Sequence, residues 1–114
     1  MAMNKGNNVA TVTASTTQTQ AGGATRLVQG DVTAVTVSNA SDSVGIPANL
    51  PAGTVMFITN VSSNAGKIWP PTGGTINAAA ADAEVALAAS TMSICTVLTS
   101  GSASTYSLFK LSTL

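Results

Sequence analysis

The sequence predicts an all-β domain, a small β-sandwich or a compressed jelly roll or β-barrel, preceded by an extended N-terminal arm. Three observations carry this. Ser, Thr, Ala, Val and Gly dominate the 114 residues, and β-branched side chains favour a pleated, half-buried surface. Short apolar or alternating runs recur between turn signals spaced roughly 8–12 residues apart. The one stretch whose local propensity favours helix, Asn77 to Ala89, is embedded among these β signals.

Residues 1–24 are small and polar, with Val9 and Val12 as their branched apolar residues. Such a segment buries too little surface to fold alone. It reads as a flexible tail or as an arm that orders on a neighbour, with Ala21-Gly22-Gly23 as the hinge. The β-domain then spans 25–114. Thr25 to Gln29 is a short strand, Gly30-Asp31 a turn, and Val32 to Ser38 a strand with Val35 and Val37 on one face. Asn39 to Gly45 reads as a polar loop. Ile46-Pro47 and Leu50-Pro51 bracket an irregular segment, since proline cannot donate to a ladder.

Thr54 to Asn60 is apolar on both faces, Val55 and Phe57 against Met56 and Ile58. Such a strand is central in its sheet, or one face is an interface. Ser62 to Gly66 turns into the short strand Lys67-Ile68-Trp69, and Pro70 to Gly74 forms a tight loop before Thr75-Ile76-Asn77. From Asn77 to Ala89 local propensity favours helix, yet the β surroundings favour a loop leading into a short strand around Val85 to Ala88. Met92 to Leu98 reads as a buried strand, with Met92, Ile94, Thr96 and Leu98 on one side. Ser104 to Leu111 is the last strand, and its pattern changes face between Leu108 and Phe109, as at a bulge. Leu50-Pro51-Ala52-Gly53-Thr54 is echoed by Leu87-Ala88-Ala89-Ser90-Thr91, each feeding a strong strand.

Charge narrows the function. Four basic and four acidic residues make the chain formally neutral, with 7% charged residues and no His. Soluble domains average about 25% charged residues, and near-zero net charge favours association. Lys5, Arg26, Lys67 and Lys110 are scattered, which argues against nucleic acid. No apolar run is long enough for a membrane span, and the N-terminus lacks the apolar core of a signal peptide. The expected site of synthesis is the cytoplasm.

Candidate sites each have a plainer reading. Asp82 and Glu84 make a poor cation site without further ligands, and Asp31 and Asp42 suit turns. No Ser or Thr has a His to take its proton; a Ser–Lys pair with Lys67 or Lys110 is only formally available. Gly73-Gly74 matches no phosphate cradle. Cys95 sits within the strand 92–98 and reads as a structural thiol. Trp69 and Tyr106 could stack on a ligand, though a Trp beside Pro-Pro suits packing, or an interface anchor if exposed. Asn39-Ala40-Ser41 and Asn60-Val61-Ser62 fit the glycosylation sequon. The expectation is therefore no enzyme, no cofactor and no metal.

Residues 46–110 carry a larger pattern: Ile46-Pro47, Leu50-Pro51-Ala52-Gly53, a strand ending at Asn60, then Trp69-Pro70-Pro71-Thr72-Gly73-Gly74-Thr75-Ile76-Asn77, and a final aromatic strand with Tyr106. This resembles small structural proteins of tailed bacteriophages, the capsid decoration (cement) proteins and related head or tail fibre domains. Ala78 stands where a Gly usually follows Ile-Asn, and Tyr106 where a late Trp is usual. The resemblance implies a non-enzymatic homotrimer on the virion exterior that binds the major capsid protein and stabilises capsomer junctions. The alternative it implies is a receptor- or carbohydrate-binding module of a head or tail fibre. The candidate interface is then Val9, Val12, Thr16, Thr17, Gln18 and Gln20 of the arm with Trp69, Pro70, Pro71 and Tyr106. Val55, Phe57, Trp69 and Phe109 suit either a core or a subunit interface.

Overall fold

A computed structural model describes residues 9–113 of the chain. Nine strands and one helical turn follow one another: β1 (Val9–Thr13), α1 (Gln20–Gly23), β2 (Val32–Thr36), β3 (Ser43–Gly45), β4 (Val55–Asn60), β5 (Gly66–Trp69), β6 (Thr75–Ile76), β7 (Val85–Leu87), β8 (Thr91–Thr99) and β9 (Thr105–Thr113). They form a six-stranded sheet in the order β1-β2-β4-β8-β9-β6 and a three-stranded sheet in the order β3-β5-β7. Both sheets are mixed. β1, β2 and β4 run parallel, β4-β8-β9 antiparallel, and β6 parallel to β9. The all-β expectation holds at this level.

The core lies where the sheets meet. Val35, Met56, Ile58, Cys95, Val97 and Tyr106 from the large sheet join Val44, Ile68 and Leu87 from the small one in a single buried cluster. The polar side-chain atoms closed to solvent around it are partnered. Asn60, fully buried, donates through Nδ2 to the carbonyls of Asn64 (2.9 Å) and Leu87 (3.1 Å). Thr33 bonds the backbone of Gln29 both as donor and as acceptor. No buried side-chain polar atom lacks a partner among the described residues, as a low-dielectric interior requires.

Several segments depart from the sequence reading. Residues 9–24 are not an arm apart from the domain. β1 pairs with β2 along its whole length, and Ala14 is buried. The expected hinge Ala21-Gly22-Gly23 is part of α1, capped when Thr19 Oγ1 accepts from Gly22 N–H at 3.3 Å. A Cβ on Gly23 would stand 2.7 Å from the Val44 carbonyl and 3.0 Å from the Trp69 ring, so the missing side chain lets the helix close on β3 and β5. Residues 1–8 of that arm lie outside the described residues.

Thr25 to Gln29 is not a strand. It makes one bridge, Leu27 to Gly45, and buries Val28. The expected polar loop 39–45 contains β3, whose three residues are all buried. The loop-then-strand reading of 77–89 holds, because β7 occupies Val85–Leu87. The bulge near the C-terminus exists but is displaced. The β8–β9 register shifts between Met92 and Ser93 and between Val97 and Thr99, leaving Leu111 and Leu98 as the unpaired residues. Leu108 and Phe109 keep simple alternation, Leu108 packed on the core and Phe109 exposed.

The Pro-Pro-Thr-Gly-Gly-Thr-Ile-Asn stretch acts as a clamp on β9. Gly73 takes a φ of +85°, Ile76 is fully buried, and Asn77 takes a φ of +55°. The Asn77 amide then replaces a strand residue: Oδ1 accepts from Leu108 N–H at 2.9 Å and Nδ2 donates to Leu108 O at 3.2 Å. Asn is among the few non-glycine residues that tolerate this backbone region. Asn77→Ala loses both bonds and adds backbone strain, so chemical denaturation should show a loss of about 2 kcal/mol.

Candidate docking surface

The pairing register lines up one apolar row across five strands. Val9 lies beside Val32, Val32 beside Phe57, Phe57 beside Ile94 and Ile94 beside Phe109. Laterally paired residues share a sheet face, and this face turns away from the core. Phe109 is 62% exposed, Val9 55% and Val55 47%, while Val32, Phe57 and Ile94 are half-buried. The flanking rows are Thr11, Ala34, Thr59 and Met92 on one side and Val55, Thr96 and Ser107 on the other. No charged residue occurs in any of the three rows.

β8 shows most directly that this face is unusual. Its buried side carries Thr91, Ser93, Cys95 and Val97, whereas the side toward solvent carries Met92, Ile94 and Thr96. Strands with one solvated face ordinarily put the apolar set inward. Here the outward set is at least as apolar as the inward one. A contiguous exposed apolar patch with hydroxyl-bearing neighbours marks an interaction surface.

The residues expected at the interface do not form one surface. Val9 belongs to the outward row, and Val12 packs from β1 against the core. Thr16 and Thr17 are exposed. Gln18 donates to the Ala40 carbonyl at 2.9 Å and to Asp42 Oδ1 at 3.2 Å, and Gln20 donates to the Pro70 carbonyl at 2.9 Å and Asp82 Oδ1 at 3.0 Å. Both glutamines therefore tie the α1 region to this chain's own loops. Gln20, Trp69, Pro70 and Pro71 do come together, around a shallow cleft of about 180 Å³. Trp69 is half-buried, its indole N–H donating to Ser43 Oγ at 3.1 Å. Pro70 is buried.

Tyr106 is a correction. It is 2% exposed, and its hydroxyl donates to Ser104 Oγ at 2.7 Å, so it belongs to the core. With Tyr106 inside, Trp69 and Tyr106 do not share a concave aromatic face. Val55, Phe57 and Phe109, for which core and interface were both open, face outward. Only Val9 of the ten expected contacts lies in the apolar row, because strand neighbours are set by long-range pairing.

The titratable groups serve the fold. Asp42 is 1% exposed and accepts from Gln18 and from the Asn39 N–H. Gln20 and the Gly73 N–H bond the Asp82 carboxylate and hold its pKa below the usual carboxylate range. The stability this bonding contributes is present above that range and is lost as pH falls through the depressed pKa. Lys67 lies 3.9 Å from Glu84, the one ion pair among the described residues. No group of three or more His, Cys, Asp or Glu side chains gathers among the described residues. The Asn60 sequon is closed by burial of that side chain.

Cys95 is fully buried, and burial pushes its thiol up to about 12 from 9.0. The thiol's contribution to stability is therefore complete below about pH 9 and is lost as pH rises toward about 12. A thiol reagent at pH 8 should leave the folded protein unlabelled and label it fully in denaturant; mass spectrometry reads the difference.

The chain matches no family model, no curated protein and no solved structure. Among the described residues no helix is long and apolar enough to cross a membrane.

Proposed function

We propose that the chain is a structural virion protein. In this reading it is a capsid decoration (cement) protein, made in the host cytoplasm, that sits on the outer shell and bridges capsomer junctions. The observation that carries the reading is the outward row Val9-Val32-Phe57-Ile94-Phe109 on an uncharged sheet face. Burying that row against the major capsid protein gains apolar transfer energy at about 25 cal/mol per Å², with no ion to desolvate. The phage-like Pro-Pro-x-Gly-Gly-x-Ile-Asn stretch supports the same reading through its clamp on β9. The two stacked sheets are read as a small β-sandwich, a rigid platform that holds the row flat. A fibre-borne carbohydrate module gains no support from the aromatics, since Tyr106 is buried and Trp69 is committed to Ser43.

The test compares shells assembled with and without the protein under heat. The reading expects decorated shells to release their contents at a higher temperature. Equal release temperatures, or no retention of the protein on shells, would end it.

A further inference from the structure

Among the described residues, β1 forms one lateral edge of the large sheet and pairs with β2 on one side only. Its sequence, Val-Ala-Thr-Val-Thr, carries none of the devices that usually protect an edge: no charge, no proline and no bulge. Val9, Thr11 and Thr13 are all exposed. Beside the edge, a groove of about 280 Å³ lies between Thr11, Val12 and Thr13 and the segment Thr25 to Gln29, which bridges to β3 of the small sheet.

The charges near this edge are arranged with direction. Arg26 lines the groove toward the C-terminal half of β1. Asp31 immediately precedes Val32, the partner of Val9, and so lies at the N-terminal end. Both are exposed and neither is in an ion pair among the described residues. An antiparallel copy of β1 laid along this edge brings the Arg26 end of each chain to the Asp31 end of the other. We infer that two copies of this chain join through β1, antiparallel about a twofold axis centred near Thr11, making one continuous sheet across both. The occupant of the edge is a second copy because the edge is neutral and self-complementary and its flanking charges complement each other only in the antiparallel sense.

The arrangement has a geometric consequence. A twofold axis perpendicular to the sheet puts both outward faces on the same side. Val9 ends the apolar row at β1, so the two rows approach each other across the seam. A pair of this kind presents two docking rows to one partner surface, and linked contacts reinforce each other through effective concentration. The inference does not rest on the virion reading, since the pair forms with or without a shell.

The experiment is solution mass by light scattering on the full chain, together with Thr11→Lys and Thr11→Cys. The expected result is a mass twice that of one chain for the wild type. Thr11→Lys should fall to half that mass while keeping its melting temperature. Directly opposed residues of antiparallel strands lie about 4.5–5.5 Å apart between Cα atoms, inside the range a disulfide spans. Oxidised Thr11→Cys should therefore run as a covalent dimer. The wild type should not, because its Cys95 is fully buried. A monomeric wild type overturns the inference. So does a trimer, or a dimer whose Thr11→Cys variant does not cross-link.

Discussion

Phe109→Ser is expected to weaken docking by roughly thirtyfold or more while leaving the folded domain intact. Phe109 is 62% exposed on the outward face, so the isolated protein loses little when it is trimmed; surface changes of this kind usually stay within about 0.5 kcal/mol. In a complex the same ring would be a large apolar anchor near the end of the row. Truncating such an anchor costs about 2 kcal/mol or more, roughly thirtyfold in affinity. Co-sedimentation with shells reads the binding and thermal melting reads the fold. Ile58→Ala is the opposite control. Ile58 is next to Phe57 in β4 but faces inward and is fully buried, so its truncation should cost about 2–5 kcal/mol of stability. A Phe109→Ser variant that binds as wild type, or that melts like Ile58→Ala, would put Phe109 outside the docking surface.

The second large effect lies in the clamp on β9. Gly73→Ala is expected to destabilise the domain by about 3 kcal/mol, lowering the melting temperature by roughly 10 °C or more. Gly73 has a φ of +85°, and an added Cβ would stand 2.3 Å from the Ser102 carbonyl oxygen. Gly53→Ala separates the two causes. Gly53 has a φ of +91° with nothing within 4 Å of the added atom. It should show backbone strain alone, about 1 kcal/mol. Equal melting temperatures for the two variants would mean that the loop carrying Ser102 moves aside without cost.

Which parts of this architecture were legible in the chain follows from the range of the interactions. Strong local patterns came through: Val55–Asn60, Gly66–Trp69 and Thr91–Thr99 are strands where alternation or apolar runs placed them. The echo between residues 50–54 and 87–91 has a physical basis. Gly53 and Ser90 occupy equivalent positions, both at positive φ, and Thr54 and Thr91 each donate a hydroxyl to the carbonyl three residues back, Pro51 at 2.7 Å and Ala88 at 2.6 Å. The same turn starts two strands that then pair with each other.

What the chain concealed was tertiary. Val-Ala-Thr-Val-Thr has the pattern of a strand as much as that of an arm, and the parallel partner that fixes it begins 23 residues later. Ser43-Val44-Gly45 is too short and too polar to signal a strand, yet β5 and α1 bury it. Tyr106 looked like a contact residue because its hydroxyl partner, Ser104, gives no local signal. The docking row was the least legible of all. Met92, Ile94, Thr96 and Leu98 read as one side of a buried strand, and only the placement of the small sheet shows that Ser93, Cys95 and Val97 are the residues facing the core.

The central claim, that the outward face of the large sheet is the docking surface, is tested most directly by hydroxyl-radical footprinting of the free and shell-bound protein. Oxidation of Phe57, Met92 and Phe109 should fall sharply on binding, while Trp69, in β5 of the small sheet, stays unchanged. Unchanged oxidation of Phe57, Met92 and Phe109, with protection moved to the Trp69 cleft, would contradict the claim and place the interface on the opposite side of the fold.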